Sequence, residues 1–214
     1  MKKGAIFDLD GTMVDTMHIH DKAWERIFLK YGITLDAKEK AKHSGKKNVA
    51  FITHILTKRN VDTLNPEQLA KEKDNIVLDM LSREAPSVFP GLPELLEVLK
   101  KNQVKLALAT SAAQETALLL AKDILSYFDI KIFAEDVTKG KPHPETFLLA
   151  AQRMDLKVSD CVVFEDSENG VEAAKSGGFL CIAKDNSAGQ DLSKADLVIK
   201  GYEVENLKKV LLEQ

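Results

Sequence analysis

Two cysteines in 214 residues, Cys161 and Cys181, are too few for a disulfide framework, and no Cys-x-x-Cys pair is present. Both lie in apolar runs (CVVF and LCIA) and are expected as buried free thiols, which fits a reducing cytoplasm. No apolar run approaches the ~18 residues of a membrane span. The start, Met1-Lys2-Lys3-Gly4, runs into a short apolar strand and then acids, without the apolar stretch and cleavage site of a signal peptide. Basic excess is missing as well: 30 Lys and Arg stand against 33 Asp and Glu, a net charge of −3. That balance argues against nucleic acid as the main partner. The sequence has no Walker-type phosphate loop, no GxGxxG, no internal repeat and no low-complexity segment. What remains is a folded composition, 44% hydrophobic and 29% charged, long enough for one domain with a small insertion.

Two textures divide the chain. From Val104 onward, short apolar runs (105–109, 130–134, 161–164, 180–183, 197–199) alternate with amphipathic segments (114–125, 144–154, 168–176). This alternation predicts a parallel sheet covered by helices, with Gly4–Phe7 as one more strand. Residues 16 to about 82 contain no convincing strand. Apolar positions there recur at helical spacing, as in Ala23, Ile27, Phe28 and Tyr31, punctuated by Gly32, Gly45 and Asn65-Pro66. About four helices thus separate the first strand from the second, too many for a simple crossover. The expected fold class is an α/β Rossmann-like parallel sheet, residues 1–15 and 87–214, with a helical domain inserted at 16–86. The segment 203–212 reads as a final helix.

Four clusters at expected strand ends carry chemistry. Asp8 and Asp10 follow the first strand at spacing i, i+2, on one side of an extended chain, and Gly11 permits a sharp exit. Ligands of open α/β sheets bind beyond such strand ends, and two close carboxylates need a cation or a proton between them. The plain alternative is an Asp-Gly turn. Glu165 and Asp166 follow another strand; all-oxygen ligands suit Mg²⁺, while Asp166 or Ser167 can equally cap the next helix. Thr110 and Ser111 offer hydroxyls before a helix, a phosphate seat or a cap. Lys141 is locked between Gly140 and Pro142, with Pro144 expected as a first helical residue.

The ordered set Asp-x-Asp, Thr/Ser, Lys, Glu-Asp resembles the four motifs of the haloacid dehalogenase superfamily, carried here by FDLDGT, the Thr110 position, GKPHPETF and FEDSENGVEAAKSGG. The inserted helices resemble the small cap of the subgroup that holds β-phosphoglucomutase and many sugar-phosphate phosphatases. The resemblance implies a nucleophilic Asp8, Asp10 as general acid/base, and Thr110 and Lys141 on phosphate oxygens. It also implies Mg²⁺ held by Asp8, the Asp10 carbonyl and Asp166, with Glu165 as ligand or neighbour. These roles suit phosphoryl transfer, which needs positioning and charge neutralisation above all.

Whether water or a sugar phosphate takes the phosphoryl group depends on the cap. The segment Asp15–His20 with Ala23-Trp24 resembles that of β-phosphoglucomutase, which implies that His20, partnered by Lys73, couples the cap to Asp10. Trp24 itself reads as helix-face packing. Against a mutase, Asn48 stands where the resemblance would place a phosphate-gripping arginine, and Lys46 or Lys47 is a point charge rather than a planar fork. Ser111-Ala112-Ala113-Gln114 departs from the mutase pattern, and Thr12 is the commoner phosphatase choice. The expectation is a cytoplasmic, monomeric phosphatase of a small phosphorylated metabolite, first of all a phosphosugar, with a mutase as the alternative. Thr16, His20, Lys46, Asn48, Lys73, Ser111 and Gln114 are the candidate substrate contacts.

Overall fold

Six short apolar runs form one sheet. In the computed structural model, which describes residues 1–36, 39–40, 44–83 and 86–212, they are β1 (Gly4–Phe7), β2 (Lys105–Ala109), β3 (Ile130–Ile132), β4 (Cys161–Glu165), β5 (Leu180–Lys184) and β6 (Leu197–Ile199). All neighbours are parallel, in the order β3-β2-β1-β4-β5-β6. β1, β2 and β4 are buried along nearly their whole length, as strands covered on both faces must be. The register pairs Phe7 with Leu108 on one side and Phe164 on the other. The rings of Phe7 and Phe164 stack at 4.3 Å.

Helices cover both faces: α4 (Leu92–Lys101), α5 (Gln114–Leu120), α6 (Glu145–Arg153), α7 (Glu168–Ser176) and α8 (Val204–Leu212). Two apolar clusters fill the space between them and the sheet, one around Phe7, Phe164 and the leucines of α4, the other around Ile6, Phe147 and Phe179. Cys161 and Cys181 are buried free thiols, and burial pushes them up to about 11 and about 12. Between β1 and α4 the described residues include α1 (Met17–Leu29), α2 (Asn48–Lys58) and α3 (Pro66–Arg83). Their apolar stripes meet in a third cluster built on Trp24, Phe28 and Phe51. Ile19, Ala23, Val77 and Leu81 of the same helices pack into the first sheet cluster. No helix among the described residues is long and apolar enough to cross a membrane.

Some boundaries differ from the sequence pattern. β3 ends at Ile132 because Asp136 turns its carboxylate back onto the Phe133 N–H at 2.9 Å and starts a short 3-10 turn. The helix expected over 114–125 stops at Leu120, and the chain then returns Ile124 and Phe128 to the core. Pro144 is the N-cap of α6 rather than its first helical residue.

Phe28→Ala is expected to cost about 3–5 kcal/mol. Hydrogen exchange should then speed up in α1–α3 before the central strands, and equal acceleration in β1 and β4 would contradict a separate cap core.

Candidate active site

The carboxyl ends of three adjacent strands supply the site. Asp8 leaves β1 with its N–H on the Phe164 carbonyl (3.0 Å), so it stands beside Glu165, the last residue of β4. Thr110 leaves β2 with its N–H on the Ile132 carbonyl (3.0 Å), and its hydroxyl accepts the Ala112 N–H (3.0 Å). Lys141 comes from the loop after β3, where the Lys141–Pro142 peptide is cis. All four are buried.

Lys141 ties this group together. Its Nζ lies 2.5 Å from Asp8 Oδ1 and 2.6 Å from Glu165 Oε1, over the Phe147 ring. Burial works against its charge, but the two carboxylates outweigh it and raise its pKa. Glu165 has no oxygen left over. Oε1 takes Lys141, and Oε2 accepts the Asp166 N–H, the Ser167 N–H and the Ser167 hydroxyl at 2.7, 2.8 and 2.9 Å. Glu165 is therefore an anchor for Lys141 and for the start of α7. Ser167 is the cap of that helix, accepting the Gly170 N–H at 3.1 Å, which leaves Asp166 free to face the site. A Cβ on Gly170 would overlap the Glu165 carboxylate.

Asp8, Glu165 and Asp166 place one oxygen each within 4.8 Å of one another. Burial raises Asp8 to about 8, despite Lys141, and drives Asp166 well above the usual carboxylate range. Three buried acids with one ammonium lack a compensating charge. Hard oxygen donors of this kind fit Mg²⁺, and Asp8 and Asp166, whose oxygens are not all taken up as those of Glu165 are, could hold it. Asp166 is oriented by the Thr12 hydroxyl (3.2 Å) and by Asn186 Nδ2 (2.8 Å).

Asp10 turns its carboxylate the other way. The Thr16 hydroxyl donates to Oδ1 at 2.6 Å, and His20 Nε2 lies 2.8 Å from the same atom. Lys73 Nζ lies 2.9 Å from His20 Nδ1. An ammonium can only donate, so Nδ1 accepts and the Nε2–H donates to Asp10. Burial pushes Asp10 up, but His20 and Thr16 together pull it down to about 2. Burial lowers Lys73, which sits 5.1 Å over the Trp24 ring. Asp10 is ionised and wired to α1 and α3.

One cavity is lined by Asp8, Asp10, Thr110 and Ser111 from the sheet ends and by Trp24, Lys46, Asn48, Lys73 and Asp74 from residues 16–86, while Lys141, Glu165 and Asp166 are not among its lining residues. Asn48 spends its amide on Asp74 Oδ1 at 2.7 Å. The loop at 44–47 docks on the sheet ends: Ser111 donates its hydroxyl to the Gly45 carbonyl (2.8 Å), Asn169 Nδ2 to the Ser44 carbonyl (2.8 Å) and Lys47 Nζ to the Val137 carbonyl (2.5 Å). Gln114 is not brought in. It is exposed at the start of α5, its N–H donates to Glu135, and it is absent from the cavity wall. Thr16 reaches Asp10 rather than the cavity. Sequence reasoning missed Asp74, Asn169 and Asn186. Asn186 sits just beyond β5, where the strand-end rule would have pointed; Asp74 directly follows Lys73.

A family model described as haloacid dehalogenase-like hydrolase matches residues 2–178. The chain is 37% identical over 180 residues to the fructose-1-phosphate phosphatase YqaB of Escherichia coli, covering 82% of this chain and 93% of that protein. It is 30% identical over 203 residues to the β-phosphoglucomutase of Bacillus subtilis, covering 92% and 89%. The crystal structure of β-phosphoglucomutase from Clostridium difficile superposes with a TM-score of 0.89 at 27% identity, over 100% of this chain and 98% of that one.

Gly170→Ala should cost about 1–3 kcal/mol of stability by overpacking, read as a lower denaturation midpoint. The Asp8 shift has a sign that titration can check. The folded carboxyl holds its proton up to about 8, whereas the unfolded one ionises near 3.8. The fold therefore binds more protons between those values, and stability falls as pH rises through them. Chelated protein should lose denaturation midpoint from about pH 5 to about pH 8. Asp8→Asn should flatten that slope; an equally steep fall in this variant would contradict the assignment.

Proposed function

The chain belongs to the haloacid dehalogenase-like hydrolases and is a phosphoryl-transfer enzyme, and on that premise we propose that it is a Mg²⁺-dependent phosphatase of a small sugar or polyol phosphate. The observation that carries this reading is Asp8: a buried carboxylate that lines the cavity between the sheet ends and residues 16–86, with one oxygen on Lys141. We take residues 16–86 as a cap over a core of 1–15 and 87–214.

An Asp8 oxygen attacks phosphorus as the ester P–O bond breaks. Asp10 in its protonated form gives that proton to the leaving oxygen. Asp10, ionised again, then takes a proton from water as the water oxygen attacks the aspartyl-phosphate, frees inorganic phosphate and restores Asp8. Bound Mg²⁺ supplies charge neutralisation for the phosphoryl oxygens. Lys141 and the Thr110 hydroxyl hold two of those oxygens, and Lys141 keeps Asp8 oriented. The arrangement of Asp10, ionised under His20 and Thr16, is that of the base for the second half. Burial loosens the proton of Lys73, which feeds His20 and through it Asp10 before the first half.

Water as the acceptor is supported by the cap wall. Asn48 is bound to Asp74 and presents no guanidinium fork for the phosphate of an incoming sugar phosphate. The Lys73–His20–Asp10 chain favours the second reading, a β-phosphoglucomutase-type transfer. A ³¹P NMR time course separates the two. With Mg²⁺ and fructose 1-phosphate, or β-glucose 1-phosphate with a trace of glucose 1,6-bisphosphate, inorganic phosphate is expected. Glucose 6-phosphate without inorganic phosphate would establish the mutase instead. Asp8→Asn should abolish turnover, and Lys141→Met should slow it on the order of 10²–10³-fold. Near-full activity of either variant would contradict the mechanism.

A further inference from the structure

The cap wall carries a carboxylate that no step of this reaction uses. Asp74, on α3 directly after Lys73, lines the cavity with Asn48, Trp24 and Met17. Its Oδ1 accepts the Asn48 amide at 2.7 Å and stands 3.7 Å from Lys73 Nζ. Its Oδ2 accepts no hydrogen bond from the described residues. Both partners sit on helices, Asn48 as the first residue of α2 and Asp74 within α3, and these two helices pack on each other. The pair thus joins two packed helices, and Oδ2 is left as an acceptor on a residue that lines the cavity.

We infer that Asp74, oriented by Asn48, selects the end of the substrate remote from the reacting phosphate, accepting a hydroxyl of a neutral tail and turning away a second phosphate. This deepens the proposed function and rests on its claim that the cavity takes a phosphorylated metabolite. A carboxylate oxygen without a partner is a strong acceptor for a hydroxyl, and a charge-assisted bond of that kind is the stronger sort. A second anion at the same place would face a like charge inside a partly desolvated wall, where repulsion is screened far less than in water. The ammonium of Lys73 does not cancel this, because it is already shared between His20 and Asp74. Lys46, the other cation of this wall, pulls in the opposite direction, so the balance is measurable.

The test is calorimetric binding to the Asp8→Asn variant with Mg²⁺, using fructose 1-phosphate and fructose 1,6-bisphosphate. This variant holds its ligand without turning it over, so the result does not depend on whether water or a sugar is the acceptor. Failure of the phosphatase reading shows separately, as missing inorganic phosphate in the NMR experiment. The monophosphate is expected to bind at least about tenfold tighter, the discrimination that one like-charge contact supplies. Adding Asp74→Asn should shrink that preference at least about tenfold, by weakening the monophosphate and tightening the bisphosphate. Asp74→Ser, which removes the charge and the reach, should do the same and serves should the first variant not fold. A bisphosphate that binds tighter with Asp74 intact would overturn the inference. So would a preference that neither substitution changes, or binding of neither ligand.

Discussion

One buried ammonium holds the site in its shape. Lys141 bridges Asp8 and Glu165, two buried carboxylates that it holds side by side. The bridge works because Glu165 is itself immobile. Its second oxygen collects two backbone N–H groups and a hydroxyl at the start of α7, and Gly170 leaves the room it needs. Asp8 is thereby fixed through a chain that runs from a helix cap to a strand end. The cluster sets three acids against one ammonium, a donor set that could hold a divalent cation.

The helical cap enters this electrostatic circuit at two points. Thr16 and His20 take hold of Asp10, so the orientation of this carboxylate is set from the inserted helices, with Lys73 behind it. The loop at 44–47 rests on Ser111, Asn169 and the Val137 carbonyl, and a Cβ on Gly45 would overlap the Ser167 hydroxyl, the same hydroxyl that serves Glu165. Cap seating and orientation of Glu165 thus share an atom. Ser111 belongs to this seating as well as to the cavity lining.

The core of the site was legible in the sequence because strand ends are. Asp8, Thr110, Glu165 and Asp166 each follow an apolar run, and a parallel sheet brings such positions together whatever lies between them. Lys141 stood out as a lysine locked between Gly140 and Pro142, whereas only the resemblance to a known family set His20 beside Lys73, since two helix positions 53 residues apart have no local signal. Gln114 went astray because the first turn of α5 points its side chain outward. The Asn48–Asp74 pair was invisible for a related reason. It forms across 26 residues, through packing of α2 on α3 that periodicity announces without fixing which side chains meet. Metal-binding acids also looked like caps until the structure divided the labour, Ser167 capping and Asp166 facing inward.

The central claim is that Asp8 carries the phosphoryl group between donor and water. Intact-mass and peptide mapping of the wild-type protein, quenched in acid during the first turnover of fructose 1-phosphate with Mg²⁺, tests it directly. The account predicts protein transiently heavier by one phosphoryl group, with the added mass on the peptide that contains Asp8. Inorganic phosphate released at the rate of substrate loss, with Asp8 unmodified at every time point, would contradict it.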